Sequence, residues 1–311
     1  MEDSQRNYKV ASFYKFADVE NPKKLVKEVR RFCESEGILG RVLISNEGIN
    51  GSISGSFEQV ENFEDFIQSH EKFSDLRFKE TKCLEVPFNK LKVLHRNEIV
   101  AIKRDVDLNK RSEYITPDEF LSLYDENGNL REDVLLLDTR NDYEYNVGKF
   151  RGATHLNTKT FREFPEKLDQ IEDKKNKKVV IYCTGGIRCE KASALLKEKG
   201  FENVKQLEGG IIGFCQEYPD TVWDGRLFVF DKRLVTSMNQ NKDHPITACE
   251  YCGKASDLYK NCRNYDCDRL SVLCRECRYA LNGACSEECY NVLQKKFDEK
   301  SRIKQNRSLS N

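Results

Sequence analysis

A chain of 311 residues, 38% apolar and 33% charged, implies two or three domains with a water-facing surface. No apolar run approaches the roughly 18 residues of a membrane span. The polar start "MEDSQRNYK" has no signal core, so a cytoplasmic protein with no membrane partner is expected. The formal net charge is zero, so any nucleic-acid contact must come from local patches.

Residues 1–103 read as an α+β unit. "KVASFYKF" is strand-like. "NPKKLVKEVRRFCESEG" carries a helical stripe at Leu25, Val26, Val29 and Phe32, closed by Gly37. "ILGRVLIS" and "GINGSISG" are two strands around the turn "NEG". "SFEQVENFEDFIQSH" is a second helix with Val60, Phe63 and Phe66 on one face, and "LRFKETKCLE" a further strand. The order βαββαβ is the ferredoxin-like (acylphosphatase-like) pattern. "FNKLKVLHRNEIVAIK" adds one or two strands.

Residues 104–112 are polar and read as a linker. The unit 113–235 alternates strands and helices, which predicts a parallel sheet. Thr116, Pro117 and Glu119 form a capping-box helix start. "DVLLLD" and "NKKVVIYC" are buried parallel strands, "RCEKASALLKEKG" a helix closed by Gly200, and "NVKQLEGG" and "IIGFCQEY" a further strand and helix. A cysteine-rich module spans 236–293. The tail 294–311 is polar and is expected to be frayed.

Thirteen cysteines are present, eight of them between Cys249 and Cys289. In a chain without a secretion signal, clustered pairs favour metal over disulfides. The pairs are Cys249 with Cys252, Cys262 with Cys267, Cys274 with Cys277, and Cys285 with Cys289. Eight thiolates suffice for two closed, structural zinc sites. An interleaved pairing, first with third and second with fourth, is favoured over a sequential one. Arg263, Tyr265, Arg269, Arg275, Arg278 and Tyr279 lie among these ligands, either as ordinary surface or as contacts to phosphates and bases.

Cys183, in "VVIYCTGGIRCEKAS", ends a buried strand, where α/β sheets place their ligands. The loop Thr184, Gly185, Gly186, Ile187 and Arg188 offers free N–H groups, a helix N-terminus and a guanidinium, which together stabilise a thiolate or an anion. Four residues separate Cys183 from Arg188, one fewer than a cysteine-dependent phosphatase needs for a tetrahedral phosphate. Cys189 either resolves an oxidised Cys183 or is a small apolar group facing the sheet. Asp138, in "LLDTRNDYE", reads as an anchor paired with an arginine. Arg140 reads as an anchor or an anion contact. His155 reads as structural, and no histidine is placed as a base for Cys183.

"LLDTRNDYEYNVGKFRGATHLNT", "CTGGIRCEKAS", "EGGI" and "WDGRLFVFDKR" together resemble a rhodanese-domain protein. With "SNEGINGSISG" and the eight-cysteine C-terminus, the chain more narrowly resembles the family of tRNA uridine hydroxylases, over about residues 8–293. The resemblance implies a rhodanese domain over 113–235. It also implies oxygen-dependent 5-hydroxylation of the wobble uridine of tRNA, with O2 as co-substrate and Cys183 as the required cysteine. The "SNEGINGS" loop becomes a candidate for contacting RNA or completing the site across the domain interface. No flavin or nicotinamide fingerprint and no iron-binding triad is visible. The alternative enzyme is a sulfurtransferase carrying a persulfide on Cys183. A non-enzymatic RNA-binding or scaffold protein is the third reading, and the intact Cys183-to-Arg188 spacing argues against it.

Overall fold

A computed structural model describes residues 7–241 and 243–308, with side chains as far as residue 299. The first unit comprises β1 (Tyr8–Phe16), α1 (Pro22–Glu36), β2 (Leu39–Ser45), β3 (Gly48–Ser56), α2 (Phe57–Gln68), β4 (Phe78–Cys83) and β5 (Leu91–His95). Its sheet order is β4-β1-β3-β2-β5. The first four strands are antiparallel and make the ferredoxin-like core; β5 adds parallel to β2.

Local chemistry sets the helix ends. The Asn21 side chain accepts from the Lys24 N–H, Pro22 occupies the first turn, and Gly37 ends α1. Ser56 and Gln59 form a capping box at α2. That helix buries Val60, Phe63 and Ile67, while Phe66 lies at the edge and stacks on Phe32 at 4.1 Å. After β5 there is no second strand; Ile99 and Ile102 are buried from irregular backbone instead.

The second unit comprises β6 (Glu113–Ile115), α3 (Pro117–Leu121), β7 (Val134–Asp138), α4 (Asp142–Val147), β8 (Gly148–Phe150), β9 (Thr154–His155), α5 (Phe164–Lys167), β10 (Lys178–Tyr182), α6 (Ile187–Glu198), β11 (Val204–Leu207), α7 (Gly210–Glu217) and β12 (Trp223–Gly225). Its sheet is parallel throughout, in the order β6-β11-β10-β7-β9. Side chains alternate between two cores, as strand geometry demands. Leu135, Leu137, Val179 and Ile181 pack with Leu195 and Leu196 of α6. Leu136, Val180 and Tyr182 pack with Phe120, Phe150, Phe214 and Trp223. The end of the linker is drawn in: the Ser112 N–H donates to Ser193 Oγ at 3.0 Å, and its carbonyl accepts from Gln206 at 2.9 Å.

Two short ribbons follow, β13 (Leu227–Phe228) with β14 (Val235–Thr236) and β15 (Tyr259–Asn261) with β16 (Leu270–Val272), then α8 (Arg275–Ala280) and α9 (Glu287–Ser308). The expectation of a frayed tail is corrected as far as Ser308, because α9 runs through it. Its sequence is rich in Lys, Glu, Gln and Arg and has no Gly or Pro. Lys296 pairs with Asp266 at 2.7 Å, and Arg263 lies 5.4 Å from the Phe297 ring. Residues 309–311 lie outside the described residues. Among the described residues, no helix is long and apolar enough to cross a membrane.

Candidate active site and metal centres

Cys183 follows β10 directly and is closed to solvent. Gly186 is the N-cap of α6 at φ +104°, a conformation that L side chains rarely adopt. There its N–H donates to Cys183 Sγ at 3.0 Å. A second helix completes the turn. The Ile211 and Ile212 N–H groups of α7 donate to the Cys183 and Thr184 carbonyls at 3.0 and 3.1 Å. Gly210, at φ +63°, makes that approach possible, since a Cβ there would stand 2.6 Å from the Cys183 carbonyl oxygen. Loop carbonyls therefore face α7. Gly185 is half-exposed, and a Cβ on it would meet nothing within 4 Å, so the loop is open on that side.

Burial by itself pushes the Cys183 thiol up. The Cys189 thiol, the Arg188 guanidinium and the backbone N–H groups of Arg188 and Gly186 outweigh burial and hold Cys183 down at about 5. Burial, followed by the interaction with Cys183, drives Cys189 well above the usual thiol range. The pair therefore divides into a Cys183 thiolate and a Cys189 thiol. The Thr139 hydroxyl lies 3.7 Å from Cys189 Sγ.

Arg188 does not point freely into the loop. Its Nη1 and Nη2 donate to Glu144 Oε2 and Oε1 at 2.6 and 2.8 Å, and Nη2 also lies 3.3 Å from Thr184 Oγ1. Glu144 thus fixes the guanidinium. Asp138 and Arg140 form a separate, fully buried pair at 2.6 Å. Arg140 also donates to the Gly148 carbonyl and lies over the Tyr182 and Trp223 rings. Both ring nitrogens of His155 are occupied: Nε2 lies 2.7 Å from the Arg140 carbonyl, and Nδ1 accepts from the Asn157 N–H at 3.0 Å. Asp138 pairs in register with Tyr182, the residue before Cys183, and Arg140 lies over the Tyr182 ring.

The first unit covers the loop from the other side. The Tyr14 hydroxyl stands 2.8 Å from where a Gly186 Cβ would lie and donates to Glu190 at 3.1 Å. The Tyr114 hydroxyl donates to the same Glu190 oxygen at 2.5 Å. Lys191 of α6 pairs with Glu47 at 2.9 Å and Glu98 at 2.8 Å. The Asn50 side chain donates to the Ile99 carbonyl at 2.9 Å. The "SNEGINGS" turn therefore supplies Glu47 to the junction between the units. Glu144, Glu190, Tyr14 and Gly210, which build or abut the loop, escaped the sequence reading as site residues. "EGG" carried a signal for Gly210, and the acid in "DYEY" one for Glu144. Tyr14 carried none, because its strand is distant in sequence from the loop.

The eight clustered cysteines form two groups: Cys249, Cys252, Cys274 and Cys277; and Cys262, Cys267, Cys285 and Cys289. Within each group the sulfur atoms lie within 4.8 Å of one another. The sulfur atoms of Cys252 and Cys274 lie 3.7 Å apart, those of Cys267 and Cys285 3.8 Å, and those of Cys285 and Cys289 3.8 Å. A tetrahedron with metal–sulfur bonds of about 2.3 Å has edges of about 3.8 Å, so the donor sets fit zinc. Around them, Tyr265 and Tyr279 are 88% and 91% exposed. Arg263, Arg269 and Arg278 are engaged with Asn282, Glu250 and the Asn261 carbonyl.

Comparison with known proteins follows the same three parts. The UPF0176 acylphosphatase like domain matches residues 8–99, the Rhodanese-like domain residues 116–217 and the Rhodanase C-terminal domain residues 224–290. The tRNA uridine(34) hydroxylase of Bacillus licheniformis is 38% identical over 92% of this chain and 89% of its own length. The protein of the same name from Cytophaga hutchinsonii is 38% identical over 91% of this chain and 90% of its own. That from Enterococcus faecalis is 39% identical over 91% and 90%. With all three parts matched and a thiolate-stabilising loop at the centre, this chain belongs to the tRNA uridine(34) hydroxylase family.

Proposed function

We propose that this protein hydroxylates the wobble uridine of tRNA at C5, using O2 as co-substrate and Cys183 as the reactive group. The observation that carries the reading is the Cys183 thiol, held at about 5 in a loop whose Gly186 N–H points at the sulfur. A buried thiolate held by hydrogen-bond donors is an activated nucleophile. Arg188, clamped by Glu144, supplies positive charge to the loop rather than binding substrate directly. Cys189 stays protonated and donates towards Cys183. The two cysteine groups hold one zinc each, as closed structural sites that supply folding energy to a module with little apolar core. The protein works in the cytoplasm, where its tRNA substrate resides.

The test uses purified protein and a tRNA transcript lacking wobble modification. Digestion and mass spectrometry should find one added oxygen on the wobble uridine in air, and none without oxygen or with Cys183→Ser. Unchanged RNA, together with transfer of sulfur from thiosulfate to cyanide, would replace this reading with a sulfurtransferase.

A further inference from the structure

At the Cys183 loop, Lys79 has no carboxylate partner among the described residues. It lies on β4, opposite Ser12 of β1. Its Nζ is 5.1 Å from the centre of the Tyr14 ring. Its Cε is 3.8 Å from where a Cβ on Gly209 would lie. Those two neighbours mark the loop. Tyr14 abuts Gly186, and Gly209 leads into the α7 N–H groups that hold the Cys183 and Thr184 carbonyls.

The nearby acids are already taken. Glu208 accepts from Arg77 at 3.2 Å. Glu190 accepts from Tyr14 and Tyr114 and lies 3.7 Å from Arg111. Among the described residues, Lys79 makes no ion pair. A half-buried ammonium with no carboxylate paired to it is costly, and here that cost falls beside a thiolate loop. Burial lowers the Lys79 pKa, against the opposing influence of Cys183 and Glu190.

We propose that Lys79, supplied by the first unit, is a catalytic residue of the Cys183 site: its ammonium donates a hydrogen bond to the O4 carbonyl oxygen of the uracil ring while Cys183 attacks. The inference rests on the hydroxylase reading above. In the step, the Cys183 Sγ–C6 bond forms and the C5=C6 electron pair shifts to the C4–C5 bond. The C4 carbonyl pair moves onto O4. The charge of the thiolate thus ends on O4, with no oxidant consumed and no proton transferred. C5 becomes the electron-rich carbon of an enolate, which is the position hydroxylated in the reading proposed above. An ammonium placed at O4 acts where charge develops, as an oxyanion-hole donor does. The ring enters past Gly185, the open side of the loop.

The experiment compares wild type, Lys79→Met and Lys79→Arg. The first readout is steady-state hydroxylation of the tRNA transcript. Lys79→Met should lower kcat about 100-fold with KM changed less than about threefold, and Lys79→Arg should restore part of kcat. The second readout is the rate of Cys183 alkylation by anionic iodoacetate against neutral iodoacetamide, followed by peptide mass spectrometry. Wild type should favour iodoacetate about tenfold more than Lys79→Met does. A Lys79→Met enzyme with near-normal kcat, or one impaired only in KM, would overturn the role. If wild type makes no hydroxyuridine, the hydroxylase reading fails by itself. The alkylation ratio then decides on Lys79: equal ratios in wild type and variant overturn it. Among the described residues the Lys79 side chain carries no hydrogen bond or ion pair, so both variants should fold, which melting curves check.

Discussion

A buried cysteine normally resists ionisation, and Cys183 does the opposite because three hydrogen-bond donors, Cys189 and the N–H groups of Arg188 and Gly186, and the nearby Arg188 charge act on one sulfur. Its thiolate should persist far into acid. The rate of Cys183 alkylation by iodoacetamide should rise with a midpoint near 5, rather than near the value of about 8.5 of a free cysteine. The sign for stability follows. A depressed folded pKa adds stability above the unfolded value, and that stability is lost as pH falls through about 5. A midpoint above 8 would contradict the assignment of a thiolate. Much of this was legible in "CTGGIR", since glycines and a helix start after a buried strand specify the turn. The direction of Arg188 was not legible. Its partner Glu144 stands 44 residues earlier, and only the fold brings the two together. Arg140 was ambiguous in sequence between anchor and anion contact. In the fold it is enclosed by Asp138, Gly148, Tyr182 and Trp223 and closed to solvent.

Two helices build the loop, and they divide the labour. The N-terminus of α6 contributes the N–H groups that face the sulfur, while that of α7 takes the carbonyls. The division makes Gly210 far more sensitive than Gly185. Gly210→Ala must push a Cβ into the Cys183 carbonyl and strain a left-handed residue. It should lower the melting temperature by several degrees and abolish hydroxylation. Gly185→Ala should fold like wild type, since nothing lies within 4 Å. Equal melting temperatures for the two variants would mean that α7 does not support the loop. Strands such as β7 and β10 were readable because parallel strands are apolar on both faces. The role of "EGG" was not, because the carbonyls that Gly210 meets belong to residues on another connection. The helical tail shows a different limit. Polarity suggested fraying, yet good helix formers and the Lys296–Asp266 pair extend α9.

At the scale of the molecule, the site is shared. The first unit contributes Tyr14 and Lys79, and the contacts of Lys191 with Glu47 and Glu98 fasten it to α6. Nothing local in either sequence segment announces this junction; only the family resemblance made the "SNEGINGS" turn a candidate for completing the site. The cysteine module stands apart from the loop chemistry. Its spacing made the metal groups legible, because cysteine pairs at short intervals have few other uses in such a chain. Metal analysis of the purified protein should find about two zinc ions per chain. Cys252→Ser should remove one of them and leave the second group loaded. Loss of both ions from that single substitution would show that the two groups are not independent. The most direct test of the whole account follows the oxygen atom. The enzyme is incubated with unmodified tRNA under 18O2, and the wobble nucleoside is isolated for mass spectrometry. Wild type should place one 18O atom on the uridine, and Cys183→Ser none. Label arriving from water instead of O2, or equal incorporation by Cys183→Ser, would contradict a Cys183-dependent, oxygen-dependent hydroxylase.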